Sequence, residues 1–343
     1  MKSYLAILLL TVGAAAGAYK GINPTVKKIV DSISQDRIAA TLKKLESFET
    51  RNVFSETESP TRGIGAARRW ISSEFKSYSP KLDVSFDSYR VRKQSRMVRD
   101  VELVNVVAVL KGARRPDRRL IVSAHYDSAD FGHAGDGKPA SEEAHFDLAQ
   151  SERSAPGVND DGSGTAAILE LARVMSQYEF AETVVFVAFA GEEQGLIGSS
   201  LYAAKAKEQN QAIDAVLNND IIGGARAGNG FIDNHRVRVF SEDPNDSPSR
   251  EVARYIREIG WRYLPSMKVD PIFRADRFAR GGDHTPFNEE GTPPCGSQRP
   301  MRTTPTSTRE ATLSPTPRPR TRRAWRKSTP RLWRAWRWRR PRL

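Results

Sequence analysis

The sequence predicts an α/β fold: a mixed, largely parallel sheet between helix layers. Three observations carry that expectation. Apolar runs of strand length alternate with runs of helical period along most of the chain. At 343 residues, the chain can build one large or two modest domains whose core folds without staples. It has one cysteine, Cys295, which excludes a disulfide framework and a thiolate cluster, so any metal site must use His, Asp and Glu. Its 38% apolar and 28% charged content fits a soluble globular protein.

The elements follow in order. Lys2, an apolar run over 5–12 and the small residues Ala14, Ala16 and Ala18 read as a signal peptide over 1–18. The run is too short to span a bilayer, so the mature protein is expected to be secreted or periplasmic, without a stable membrane anchor. Residues 25–50 read as helical, with Ile29, Ile33, Ile38, Leu42 and Leu45 near a 3.6 period. Residues 61–78 do too, with Ile64, Ala67, Trp70, Ile71 and Phe75 on one face. Strands are expected over 84–91, 103–110, 120–124, 183–190, 215–222 and 237–240. Helices are expected over 163–178, 196–208 and 249–259, and the polar stretch 129–155 reads as an inserted loop. The folded domain would run from 19 to 293.

In such sheets ligands collect past the carboxyl ends of strands. There the sequence delivers His125-Tyr126-Asp127, Asn159-Asp160-Asp161 ahead of Gly-Ser-Gly, Gly191-Glu192-Glu193, Asp220, and Asp283-His284. Each has an ordinary reading alone. A strand-end histidine is commonly structural, an Asp before Gly-Ser-Gly is a helix cap, and two glutamates form a solvated turn. Five positions of metal-ligand type in one domain do not fit that reading together. Imidazole and carboxylate suit zinc, and two ions about 3.5–4 Å apart require a shared carboxylate. Neighbouring residues leaving a strand point different ways, so Glu193 can bind metal while Glu192 faces the nucleophilic water as general base. Asp127 can hold the second ring nitrogen of His125.

The runs H-Y-D-S, A-P-G-V-N-D-D-G-S-G, G-E-E-Q-G-L-I-G-S, N-N-D-I-I-G and G-D-H-T-P-F, in that order over about 100–293, resemble metallopeptidase family 28, the leucyl aminopeptidase type of zinc exopeptidase. The resemblance implies two Zn2+ ions. His125 and Asp220 would bind one, Glu193 and His284 the other, and Asp160 would bridge them. Glu192 would be the catalytic base and later the acid to the leaving amine, and Asp127 the residue that orients His125. It implies hydrolysis of the N-terminal bond of peptides with a free N-terminus, by a hydroxide shared between the ions. A carboxypeptidase, a glutaminyl cyclase-like relative and an inactive product stand as alternatives.

The C-terminal stretch departs from this pattern. Residues 291–343 hold 15 Lys and Arg and one acidic residue, a net +14 against +13 for the whole chain, which leaves about −1 for the rest. Four of the six Trp lie there, and Val, Ile and Phe are absent. Shifting the reading frame by one base from Pro294 permits V-R-F-T-E-A-N-E-D-Y-T-H-Q-H-E, similar to the family's continuation. The stretch 294–343 is therefore expected to be a frameshifted translation, with the last strand and helix missing and the fold or activity impaired. Arg interleaved with Trp would suit single-stranded nucleic acid or lipid headgroups. The frameshift accounts for the same composition, so no nucleic-acid partner is expected.

Overall fold

A computed structural model of the chain describes residues 21–94, 96–130, 153–226, 230–241, 247–273, 281–291 and 294–298. The expected signal peptide, most of the 129–155 insert and the basic tail beyond 298 lie outside them. The chain divides into two units, Met1–Thr304 and Pro305–Leu343, and every described residue belongs to the first.

The helical run expected over 25–50 is two helices, α1 (Pro24–Asp31) and α2 (Gln35–Glu46). Capping explains the break. Asn23 accepts the amides of Thr25 and Val26 ahead of Pro24, and Ser34 accepts the amide of Arg37 to start again. Helix α3 (Gly63–Tyr78) buries Ile64, Ala67, Ile71 and Phe75, the face expected for it apart from a partly exposed Trp70.

Among the described residues, eight strands form one sheet: β1 (Leu82–Val91), β2 (Val101–Leu110), β3 (Arg115–His125), β4 (Glu182–Phe189), β5 (Ala212–Asn219), β6 (Arg236–Ser241), β7 (Lys268–Phe273) and β8 (Pro294–Gln298). Their order is β1-β2-β4-β3-β5-β8-β6-β7. The pairs β3–β4, β3–β5, β5–β8 and β6–β7 are parallel, and β1–β2, β2–β4 and β6–β8 are antiparallel. The remaining helices are α4 (Gly162–Met175), α5 (Ile197–Glu208), α6 (Pro248–Tyr263) and the short α7 (Thr285–Glu289).

Strand β4 shows how the layers form. Every residue of it is buried, as expected for a strand covered on both faces. Val184, Phe186 and Ala188 pack with Ile168 and Leu171 of α4 and Phe75 of α3. Val185, Val187 and Phe189 pack with Tyr202 of α5 and Phe287 of α7. A further cluster joins Leu217 and Val239 to Ala253 and Ile256 of α6.

The last strand, expected to be missing, is present. Pro294–Gln298 runs parallel to β5, with Val216 opposite Pro294 and Asn219 opposite Ser297. It runs antiparallel to β6, with Phe240 opposite Gly296. Sheet pairing uses main-chain groups that every residue carries, and proline is tolerated at the first position of a strand. An altered side-chain sequence therefore does not by itself empty that place. The expectation that the last helix is missing falls on residues outside the described ones.

Candidate metal centre

Three parallel neighbours, β4, β3 and β5, end at one edge of the sheet. His125 sits opposite Phe189, and Ser123 opposite Asn218, so the residues just past the three strands meet there. His125 closes β3 and Asp220 follows β5. After β4 the chain turns at Gly191, whose φ of 74° suits glycine, and presents Glu192 and Glu193. Asp160 stands two residues before α4, and His284 caps α7.

His125 is the buried hub. Its Nε2 lies 3.2 Å from Asp160 Oδ1, 3.9 Å from Glu192 Oε2 and 3.9 Å from Asp220 Oδ1. On the other side of the ring, Nδ1 lies 3.4 Å from Asp127 Oδ1 and 3.2 Å from the Asp127 carbonyl. Asp127 does more than face the ring. Its two carboxylate oxygens accept the amides of Glu192 and Glu193, each at 3.3 Å. One carboxylate thus positions both the imidazole and the glutamate pair, a link between distant segments that sequence spacing does not carry.

His125, Glu192 and Asp220 each place one ligand atom within 4.8 Å of the others. Of the expected site residues, the structure therefore brings together His125, Asp127, Asp160, Glu192 and Asp220. Glu193 is buried beside them, and the acidic groups that act on it most strongly are Asp160 and Glu192. His284 is buried on the Asp220 side. A β-carbon on Gly282 would lie 3.3 Å from His284 Nδ1 and 3.4 Å from Asp220 Oδ2. Neither Glu193 nor His284 joins the tight three-residue group; Glu192 takes that place.

This edge gathers like charges. Burial, reinforced by Asp220, Asp283 and Asp127, holds Glu192 well above the usual carboxylate range, although His125 pulls it down. Burial and the neighbouring Asp160 and Glu192 do the same to Glu193. Burial pushes Asp283 up to about 7. For His125 burial works against the charged ring, but Glu192, Asp127 and Asp160 win and raise it well above its ordinary value. One imidazole among several carboxylates is a donor set that a divalent cation satisfies and relieves. His125, Asp160, Glu192, Glu193, Asp220 and His284 are the side chains available to hold such ions.

Two supporting residues complete the picture. Asp161 is the cap expected from its place before Gly-Ser-Gly, accepting the Gly164 amide at 2.8 Å. It also accepts from the amides of Ile221 at 3.2 Å and His125 at 3.3 Å, which ties α4 to the ends of β5 and β3. Arg51, which sequence reading passed over, is fully buried nearby. Burial lowers its guanidinium to about 10, against the raising influence of Asp127, Asp161, Asp160 and Glu193, so it remains a cation at neutral pH.

The family model described as peptidase family M28 matches residues 105–311, more than half of the chain. The chain belongs to peptidase family M28. The match runs past 293, where the resemblance was expected to stop, in keeping with the strand found at Pro294–Gln298. A curated relative of this M28 chain, a probable zinc metalloprotease of Pyricularia oryzae, is 40% identical over 278 residues, 74% of this chain and 52% of that protein. Another, from Leptosphaeria maculans, is 36% identical over 290 residues, 78% of this chain and 64% of that protein. The M28 chain thus spans between half and two thirds of these relatives. Among solved structures, the zinc aminopeptidase BSAP of Bacillus subtilis superposes with a TM-score of 0.57 at 15% identity, covering 78% of this chain and 85% of that one. A glutaminyl cyclase of Fimbriiglobus ruber gives 0.57 at 20%, covering 82% and 87%. At these identities the likeness is one of fold.

Proposed function

We propose that this chain is an exported zinc-dependent aminopeptidase, binding two zinc ions and removing N-terminal residues from peptides with a free N-terminus. The observation that carries the reading is the convergence of Asp160, Glu192 and Asp220 on the buried Nε2 of His125, at the ends of parallel strands. His125, Asp160 and Asp220 would hold one ion, and Asp160, Glu193 and His284 the other. Family membership, relatives described as probable zinc metalloproteases and a zinc aminopeptidase among the fold neighbours support it.

Bound zinc supplies polarisation of the scissile carbonyl and a water acidic enough to be a nucleophile near neutral pH. The chain's residues do the rest. Glu192, 15% exposed at its side chain, is reachable by solvent and substrate yet raised in pKa, as suits a group that takes a proton and returns it to the departing amine. Asp127 holds the Glu192 amide and the His125 ring in one arrangement. Asp160, with its side chain 40% exposed, faces the open side of the site.

Hydrolysis of an aminoacyl anilide with a free amine, none with the amine acetylated, and zinc near two per chain by elemental analysis are the expected results. Release of the C-terminal residue from an N-acetylated peptide with a free C-terminus, with no turnover of the anilide, would instead mark a carboxypeptidase. The glutaminyl cyclase fold neighbour keeps a second reading in view. Cyclisation of an N-terminal glutamine with one zinc per chain would establish it.

A further inference from the structure

Arg51 makes an unusual set of contacts for a buried cation. Its Nε donates to the Tyr126 carbonyl at 2.6 Å, and Nη1 donates to the carbonyls of Pro156 at 2.5 Å and Leu45 at 3.2 Å. Nη2 donates to the Gly157 carbonyl at 3.0 Å. All four acceptors are main-chain oxygens. The main chain of Arg51 pairs with Ser128 in both directions: the Arg51 amide donates to Ser128 Oγ at 3.0 Å, and the Ser128 amide to the Arg51 carbonyl at 3.2 Å. Ser128 Oγ in turn donates to the Ala155 carbonyl at 2.6 Å.

Three of the four acceptors belong to the two segments that carry the centre, and the fourth, Leu45, lies in α2. Tyr126 lies between His125 and Asp127. Pro156 and Gly157 lead into Asp160, and the Gly157 carbonyl also accepts the amide of Gly162 at the start of α4. The junction has no slack. A β-carbon on Gly157, whose φ is 45°, would sit 2.5 Å from the Asp160 carbonyl oxygen and 2.6 Å from Ser128 Cβ.

We propose that Arg51 is a positioning residue for the metal centre, clamping the strand end that carries His125 and Asp127 to the loop that carries Asp160. The proposal rests on the metal-centre reading above. A planar fork reaches acceptors on both segments at once; an ammonium, with three donors at one point, does not. Arg51→Lys keeps the charge and loses the span.

The test measures zinc affinity of the full chain by competition with a chromophoric chelator, beside melting temperature and the visible spectrum of the cobalt-substituted protein. Three variants are compared with wild type: Arg51→Lys, Ser128→Ala, and Ile38→Ala, a core truncation on α2 outside the network. Arg51→Lys is expected to weaken zinc binding about 10- to 100-fold and alter the cobalt spectrum. Ser128→Ala is expected to do so by a smaller factor, about 5-fold. Ile38→Ala should lower the melting temperature with affinity and spectrum unchanged. Wild-type affinity in Arg51→Lys, or an equal loss in Ile38→Ala, would overturn the proposal. If Arg51→Lys does not fold, wild-type affinity in Ser128→Ala overturns it. A wild-type chain that binds no zinc would defeat the metal-centre reading first, and this inference with it.

Discussion

At the ends of β3, β4 and β5, side chains that reach the main chain of other elements close the structure. Asp161 accepts from three amides, Asp127 accepts from two, and Arg51 donates to four carbonyls. Across β8 the described closure is main-chain pairing, four residues with β5 and three with β6. The first region depends on which residues occupy it. The second depends on an extended backbone being there at all. That contrast explains how a strand with an unexpected sequence can complete a sheet whose chemistry lies elsewhere.

The sharpest way to break the first region is Asp161→Ala. Orphaning buried amides costs about 1–3 kcal/mol each, and with partial rescue by water the expected loss is about 3 kcal/mol, read by calorimetry. An unchanged melting temperature would mean Asp161 is no junction. Gly296→Pro probes the second region, because it removes a main-chain donor between Asn218 and Phe240. A smaller loss of about 1–2 kcal/mol is expected. No change at all would mean that β8 contributes nothing to stability.

The smallest effect is a pH dependence confined to the site. Glu192, Glu193, Asp161 and Asp283 are raised by burial and by one another's charges, and His125 is raised by the carboxylates around it against burial. A raised group keeps its proton in the folded state after the unfolded chain has lost it. Its stabilising contribution is therefore complete below the unfolded value and lost as pH rises through the folded one. For Asp283 that window runs from 3.8 to about 7. Metal-free protein should melt a few degrees lower at pH 8 than at pH 5, and zinc should abolish the slope while releasing protons. A melting temperature that rises over that interval in chelator would contradict the assignment.

The sheet's centre was legible because β4 is an unbroken apolar run and because His125, Glu192 and Asp220 follow strands directly. Strand β7 was not. Its Pro271 argues against a strand in a sheet interior, but β7 pairs only with β6, at the edge, where proline is allowed. The short α7 has too few residues to show a period. Asp127 was read as a partner of His125, and its hold on the Glu192 and Glu193 amides appears only in three dimensions. Arg51 was illegible for the same reason: a lone arginine among polar residues reads as solvent-exposed, and most of its acceptors are 75 to 106 residues away.

The most direct test of the central claim pairs turnover with metal content in Glu192→Gln. The residue would serve as base while Glu193 and the other ligands hold zinc, so the variant should keep its zinc and lose about 10²–10⁴-fold in kcat on a free-amine anilide. Full turnover with full zinc content would contradict Glu192 as the base. Loss of zinc along with activity would make it a ligand instead, as its place beside His125 and Asp220 would then imply.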